Sequence, residues 1–274
     1  MEGLRITCLY SFSCPELKKA KEKKTILEFA KEPQFEKAPK AREILIKLEP
    51  FFFYQFIAHQ NKISDPFNER VVRAYWLGNE FLKRVTKEEI KTFTLLKKEI
   101  THKKITALKL LELINGKPHH NFETLWLIKK NQFLTERILQ EITDCLVRPG
   151  KIIKQERNIL FLETFRLNLE EKKIVLKKEI CKVDQGFLKD PKKEHLVTIH
   201  LSRAREKISK KTFQNLLKIT KEAISFWGNN PIFFVATLDK FKIICYNKVV
   251  WKGMIKDEEK EDSGVLLQPS GRIS

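Results

Sequence analysis

The chain has 274 residues, of which 42% are hydrophobic and 10% aromatic, so it can bury a sizeable core and is not dominated by disorder. Nine glycines and ten prolines exclude a collagen-like or low-complexity architecture. The formal net charge of +19 suggests a nucleic-acid partner. However, lysine far outnumbers arginine and is mixed with glutamate, which is more typical of a solvated surface. Nucleic-acid binding therefore stays an alternative that is not favoured.

The cysteines and the apolar runs bear on the compartment. Five cysteines, an odd number without a C-x-x-C pair, indicate neither a disulfide framework nor a zinc ribbon, and a reducing cytoplasm fits them best. The longest apolar run, residues 51–58, is too short to span a bilayer. We therefore expect a cytoplasmic protein without a membrane partner.

Helical patterns dominate the first half of the chain. Residues 1–40 are predicted to be a basic, partly ordered lead-in, and residues 41–143 a helical region in which Pro50 separates two helical pieces. The string 64–66 (SDP) predicts a helix start, and that helix should run on to Leu82. Thr86 and Glu89 form a capping-box pattern that predicts the start of another helix. Two more helices are predicted, one over 105–114 and one capped by Asn121.

Strand patterns follow in residues 144–228, which we predict to be a β-rich module. Pro149-Gly150 predicts a turn after Cys145. The predicted strands are 151–154, 159–167, 173–182 and 196–201, and Ser209 should cap an amphipathic helix that ends at Gly228. A short β meander over 229–255 and a disordered polar tail over 256–274 complete the prediction. The predicted class is α+β, a helical N-terminal half followed by a small antiparallel β-rich module with an amphipathic helix.

The candidate chemical residues lie near predicted element ends. No phosphate loop, H-E-x-x-H, G-x-S-x-G or dinucleotide fingerprint is present. His119, His120, Cys145 and His200 have side chains that suit zinc or another divalent transition metal. Adjacent residues diverge on a helix or strand, so His119 and His120 can share one ion only if a loop turns them together. The alternative for His119 and His120 is that they are polar residues at the start of the helix and bind no metal.

An enzyme is a second hypothesis. Cys145 could be a thiolate nucleophile with His200 or His119 as its base and Arg148 as a source of positive field. The alternative for Cys145 is a small buried hydrophobe. Strand alternation places His200 on the face of the strand opposite to that of Ile199. On that face His200 is as readily a surface residue as a ligand.

A ligand pocket is the third candidate. Tyr75, Trp76, Asn79 and Arg148 are its predicted binding residues, with Gly78 permitting close approach. The alternative for Tyr75 and Trp76 is core packing, with Gly78 allowing a tight helix crossing. Asn79 either fixes the loop that holds Asp65 or faces a site.

Three strings carry a resemblance to a known family. They are 65–80 (DPFNERVVRAYWLGNE), 118–122 (PHHNF) and 144–151 (DCLVRPGK). The chain resembles an uncharacterised bacterial family whose members carry a D-P-x-x-x-R-V-V-x-A-Y-W-x-G-N segment, a P-H-H-S-F segment and a short cysteine-containing strand. The strand 197–201 also matches, with Leu201 where relatives show the tryptophan of S-I-H-W. The resemblance covers about residues 41–228.

The resemblance implies an accessory role, because such proteins often occur near nickel-iron hydrogenase genes, and a metalloenzyme subunit is then the implied partner. This sequence departs from relatives at the N-terminus, where they show Y-C-G-P, and at Glu123, where they often show a third histidine. We expect an accessory or interaction protein that handles a metal, with a cysteine/histidine enzyme and a non-specific nucleic-acid binder as alternatives.

Overall fold

A computed structural model describes residues 1–13, 17–82, 86, 88–89, 92–93, 117–130, 135–170 and 173–228 of the chain. Helices come first, strands follow and a long helix ends the described chain, so the predicted α+β class is confirmed. The helices are α1 Glu2–Ser11, α2 Ala20–Lys31, α3 Ala38–Leu45, α4 Glu49–Gln60, α5 Glu69–Leu77, α6 His120–Lys130, α7 Glu136–Cys145 and α8 Lys210–Gly228, with a 3-10 turn at Phe35–Lys37. The strands are β1 Arg148–Glu156, β2 Ile159–Glu170, β3 Lys173–Asp184, β4 Leu196–His200 and β5 Arg203–Lys207.

Local sequence rules set several helix ends as predicted. Pro50 lies in the first turn of α4, where its missing N–H costs no hydrogen bond. Thr86 and Glu89 form the predicted capping box, with hydrogen bonds of 2.8 and 3.2 Å between backbone N–H and side-chain oxygens. The Ser209 hydroxyl accepts from the N–H of Thr212 at 3.1 Å, which caps α8.

The start and end of α5 were predicted wrongly. The helix begins at Glu69, because Asn68 rather than the 64–66 string supplies the cap, accepting from the N–H of Arg70 at 3.0 Å. Asp65 instead accepts from the N–H of Phe67 at 3.1 Å in a turn that precedes the helix. The helix stops before Leu82, because Gly78 takes a φ of +74°.

The five strands form one sheet that closes on itself in the order β1-β2-β3-β5-β4. β2 and β3 pair along their full length, and β4 pairs back onto β1. The sheet is mixed rather than purely antiparallel, because β3 and β5 meet through the parallel pair Asp184–Arg203. β5 was not predicted, since its sequence RAREK lacks the apolar alternation of a strand.

The predicted Pro149-Gly150 turn does not form. Both residues lie inside β1 and pair with Thr198 and Val197 of β4. Proline is tolerated at the beginning of a strand, and the Pro149 carbonyl accepts from the Thr164 hydroxyl at 2.8 Å.

Two apolar cores fill the described chain. One lies inside the closed sheet, and the larger one joins the helices to the outside of β2 and β3. The larger core includes α1, in which Ile6, Cys8 and Tyr10 have no exposed surface. This helix lies in the predicted lead-in and was not expected in the core, because the lysine-rich stretch that follows it dominates the local composition. The described residues all belong to one compact unit.

Three predicted features lie outside the described residues: the helix over 105–114, the meander over 229–255 and the tail over 256–274. Within the described part of the chain, no helix has the length and apolar character of a membrane span.

Candidate metal centre

Three of the four candidate metal-binding side chains converge at the ends of three elements. His120 opens α6, Cys145 closes α7 and His200 closes β4. One ring nitrogen of each histidine and the Sγ of Cys145 all lie within 4.8 Å of one another. The backbone joins two of these ends, those of α7 and β4, because the N–H of Leu201 donates to the carbonyl of Asp144 at 2.7 Å. We call His120, Cys145 and His200 the His/Cys/His cluster.

The two histidines of the cluster are held in their neutral form. His200 is 3% exposed, and its Nδ1 is buried without a hydrogen-bond partner. Burial lowers the pKa of His200 well below its usual value, and nearby His120 and Arg205 lower it further. Burial also lowers the pKa of His120, to about 4. Each ring therefore has one nitrogen with a lone pair at neutral pH, which is the form that binds metals.

Cys145 is a protonated thiol in the metal-free protein. Burial raises its pKa to about 11, against a small lowering by the Thr124 hydroxyl, which lies 3.9 Å from Sγ. Arg148, whose positive charge was expected to lower the pKa of Cys145, is not among the groups that shift this pKa. The Arg148 guanidinium instead donates to the carbonyl of Phe165 at 2.9 Å and to Glu179 at 3.0 Å.

Aromatic rings form one wall of the cluster. The ring of Trp76 lies 4.6 Å from His120 and 5.7 Å from His200 between centroids. Tyr10 of α1 stacks on Trp76 at 4.8 Å, and the indole N–H of Trp76 donates to the Tyr54 hydroxyl at 2.6 Å. Tyr75 and Trp76 are thus core residues and neighbours of the cluster at once.

Tyr75 connects the cluster to a carboxylate. Its hydroxyl donates to Glu123 at 2.5 Å and lies 3.3 Å from the Nδ1 of His120. Burial and the Glu123 carboxylate raise the pKa of Tyr75 well above its usual value, so the phenol keeps its proton.

His119 is not a member of the cluster. It precedes α6, and its Nδ1 accepts from the N–H of Asn121 at 3.0 Å, so His119 rather than Asn121 caps this helix. The Asn121 amide instead binds both backbone groups of Val147, at 2.8 and 2.9 Å, and donates to Thr220. The adjacent histidines diverge, because His119 caps α6 from outside the helix and His120 is its first residue.

Two members of the predicted ligand pocket also lie apart from the cluster. Arg148 is held by the partners described above, and Asn79 donates to the carbonyl of Arg70 at 2.7 Å while accepting from the N–H of Phe81 at 2.8 Å. Asn79 therefore fixes the chain after α5. Gly78 allows a tight helix crossing, because a Cβ there would lie 1.9 Å from the Cδ1 of Ile219 in α8.

Four neighbours of the cluster were not predicted from the sequence: Tyr10, Tyr54, Glu123 and Thr124. Tyr10, Tyr54 and Glu123 are hydrogen-bonded to partners more than twenty residues away in the chain, as Tyr10 is to Thr198 at 2.7 Å. Glu123 and Thr124 carried a local signal, since they lie three and four residues after His120 on one helix.

Comparison with known proteins supplies a family. The chain matches a family of unknown function, DUF6390, over residues 35–230, which is well over half of its length. The chain belongs to this family. No curated protein and no solved structure matches it.

The donor set of this DUF6390 member suits a borderline metal. Two imidazoles and one thiolate are typical ligands of Zn²⁺ and of its first-row neighbours. Ligand atoms around a tetrahedral zinc lie about 3.3–3.6 Å apart, so small side-chain rotations would close the cluster onto an ion. Three protein ligands also leave a fourth position open.

Proposed function

We propose that this protein binds a divalent transition metal, with Zn²⁺ the first choice, through His120, Cys145 and His200. The observation that carries the proposal is the meeting of these three ligand atoms within 4.8 Å, from three elements far apart in sequence. The buried Nδ1 of His200, which lacks a partner, supports it, because an orphaned buried polar atom is costly unless a ligand satisfies it.

We further propose that metal binding underlies an accessory role in the cytoplasm. The three cysteines in the described residues are free thiols, as a thiolate ligand requires and a reducing compartment maintains. The resemblance to proteins encoded near nickel-iron hydrogenases makes a metalloenzyme subunit the proposed partner. Imidazole and thiolate also bind Ni²⁺, so the choice between zinc and nickel is part of the test.

The test is a titration of the untagged, chelator-treated protein with Zn²⁺, Ni²⁺ and Co²⁺, with Mg²⁺ as the hard-metal control. We expect binding of one transition metal ion and none of Mg²⁺, since a thiolate is a poor ligand for hard cations. Bound Co²⁺ should give a thiolate-to-metal charge-transfer band. Cys145→Ser should abolish that band and weaken binding by roughly tenfold or more.

Two matched variants control for indirect effects. Cys181→Ser removes a partly buried thiol outside the cluster. His119→Asn removes the neighbouring imidazole while an asparagine can still cap α6. Both should bind like the wild type. Absence of binding by the wild type, or equal binding by Cys145→Ser, would overturn the proposal.

An enzyme that uses Cys145 with His120 or His200 is the second candidate. The observation that favours it is the same short separation between Sγ and the ring nitrogens. The high pKa of Cys145 weighs against it, because a nucleophile needs the thiolate near neutral pH.

A further inference from the structure

The surroundings of His120 differ on its two sides. Nε2 lies on the side of Cys145, 2.9 Å from its carbonyl oxygen and 3.3 Å from the Thr124 hydroxyl that approaches Sγ. Nδ1 lies 3.3 Å from the Tyr75 hydroxyl. The phenol therefore faces Nδ1, whereas Nε2 faces the side of Cys145, where an ion held by Sγ would replace the hydrogen bond of Nε2 to the Cys145 carbonyl.

The Tyr75 hydroxyl has one proton, and its geometry assigns that proton to Glu123. The 2.5 Å separation is that of an O–H donating to a carboxylate. The phenol oxygen then has lone pairs left for a donor, and the atom next to it is Nδ1 of His120.

We propose that Tyr75 and Glu123 are positioning residues for the metal centre: when Nε2 of His120 binds the ion, the ring proton moves to Nδ1 and is accepted by the Tyr75 hydroxyl, which Glu123 holds in place. This inference rests on the proposed function. In the metal-free protein, Nε2–H donates to the Cys145 carbonyl. In the metal-bound protein the ring proton lies on Nδ1 and is accepted by Tyr75, while the thiol proton of Cys145 passes to solvent.

This arrangement follows the general chemistry of metal-binding histidines. Such histidines donate their second ring N–H to a carboxylate, carbonyl or water, which fixes the ring and strengthens the ligand. Here a phenol stands between the ring and the carboxylate. The contacts from Glu123 through Tyr75 to His120 join α5 to α6 and keep the phenol oxygen beside Nδ1.

The test measures Co²⁺ affinity of the full chain by chelator competition for the wild type, Tyr75→Phe and Glu123→Gln. Both variants keep the shape of the side chain, and each should weaken Co²⁺ binding roughly 10–100-fold. Thr164→Val is the control, because it also removes a fully buried hydroxyl, which donates to the Pro149 carbonyl at 2.8 Å outside the cluster. It should bind Co²⁺ within about threefold of the wild type.

A second readout separates positioning from a general effect on folding. Nuclear magnetic resonance of ¹⁵N-histidine in the Zn²⁺-loaded wild type should show His120 protonated on Nδ1 and coordinated through Nε2. Coordination through Nδ1, or unchanged affinity in Tyr75→Phe and Glu123→Gln, would overturn the inference while leaving the metal centre intact. Failure of the wild type to bind either ion would overturn both proposals.

Discussion

Cys145 illustrates how its surroundings decide what one residue can do. The same thiol is a metal ligand when two neutral imidazoles face it and a nucleophile only when a positive group lowers its pKa. In this protein burial raises the pKa of Cys145 to about 11. The guanidinium nearest in sequence, that of Arg148, is turned to Glu179.

The state of Cys145 can be tested by alkylation. At pH 8 a thiol with a pKa of about 11 is about 0.1% thiolate, against about a quarter for an unperturbed cysteine. Iodoacetamide should therefore modify Cys145 of the native, metal-free protein more than about 100-fold more slowly than in urea. Peptide mapping by mass spectrometry measures both rates. Equal rates would contradict the raised pKa, and faster modification of the native protein would support the nucleophile hypothesis.

The two adjacent histidines show what residue type alone leaves open. His119 caps α6 and His120 enters the cluster, although the two side chains are chemically identical. Their roles follow from where α6 begins, since His119 is the cap before its first turn and His120 is the first residue within it. Which of them would face Cys145 depended on where α6 begins, and sequence reasoning placed that boundary at Asn121.

At the scale of elements, the end of α5 matters most for the site. Gly78 has a φ of +74° and lies against Ile219 of α8, so it both stops the helix and lets α8 approach. Tyr75 and Trp76 occupy the last turn before it and face the cluster.

Gly78→Ala should therefore destabilise the protein by about 2–4 kcal/mol, from backbone strain and the clash with Ile219. Urea denaturation followed by Trp fluorescence measures this. The control is Lys62→Gly at an exposed position with a φ of 57°, which should change stability by less than about 1 kcal/mol. Unchanged stability of Gly78→Ala would mean that α5 can end in another way.

The exposed lysines of the sheet agree with the interpretation of a mixed, solvated surface. Lys178 pairs with Glu163 at 2.8 Å, Lys151 pairs with Glu194 at 3.2 Å, and Lys154 pairs with Glu156. Exposed pairs of this kind contribute little to stability. The paired glutamates do reduce the net positive charge that these strands present to the phosphate groups of a nucleic acid.

At the scale of the whole molecule, Asn121 joins the helical part to the sheet and to α8. It is fully buried, binds both backbone groups of Val147 immediately before β1, and reaches Thr220. It therefore fixes α6, and with it His120, against the chain that leaves Cys145.

Asn121→Ala should cost about 2–4 kcal/mol of unfolding free energy, because it leaves both backbone groups of buried Val147 without their side-chain partner. Thermal and urea denaturation measure the change. Asn168→Ala is the matched control, since its amide donates to the exposed Glu170, and it should lie within about 0.5 kcal/mol of the wild type. Equal stability of the two variants would contradict the bridging role of Asn121.

The sequence by itself determined the α+β class, the capping box at Thr86, the long pairing strands and the residue types of the candidate site. These features depend on periodicity and on contacts within a few residues, which a sequence displays directly. Only the tertiary structure decided that α1 is core, that β5 exists, and that His120, Cys145 and His200 meet while His119 and Asn79 lie elsewhere. These depend on packing between segments 25 to nearly 200 residues apart, where buried partners override local composition.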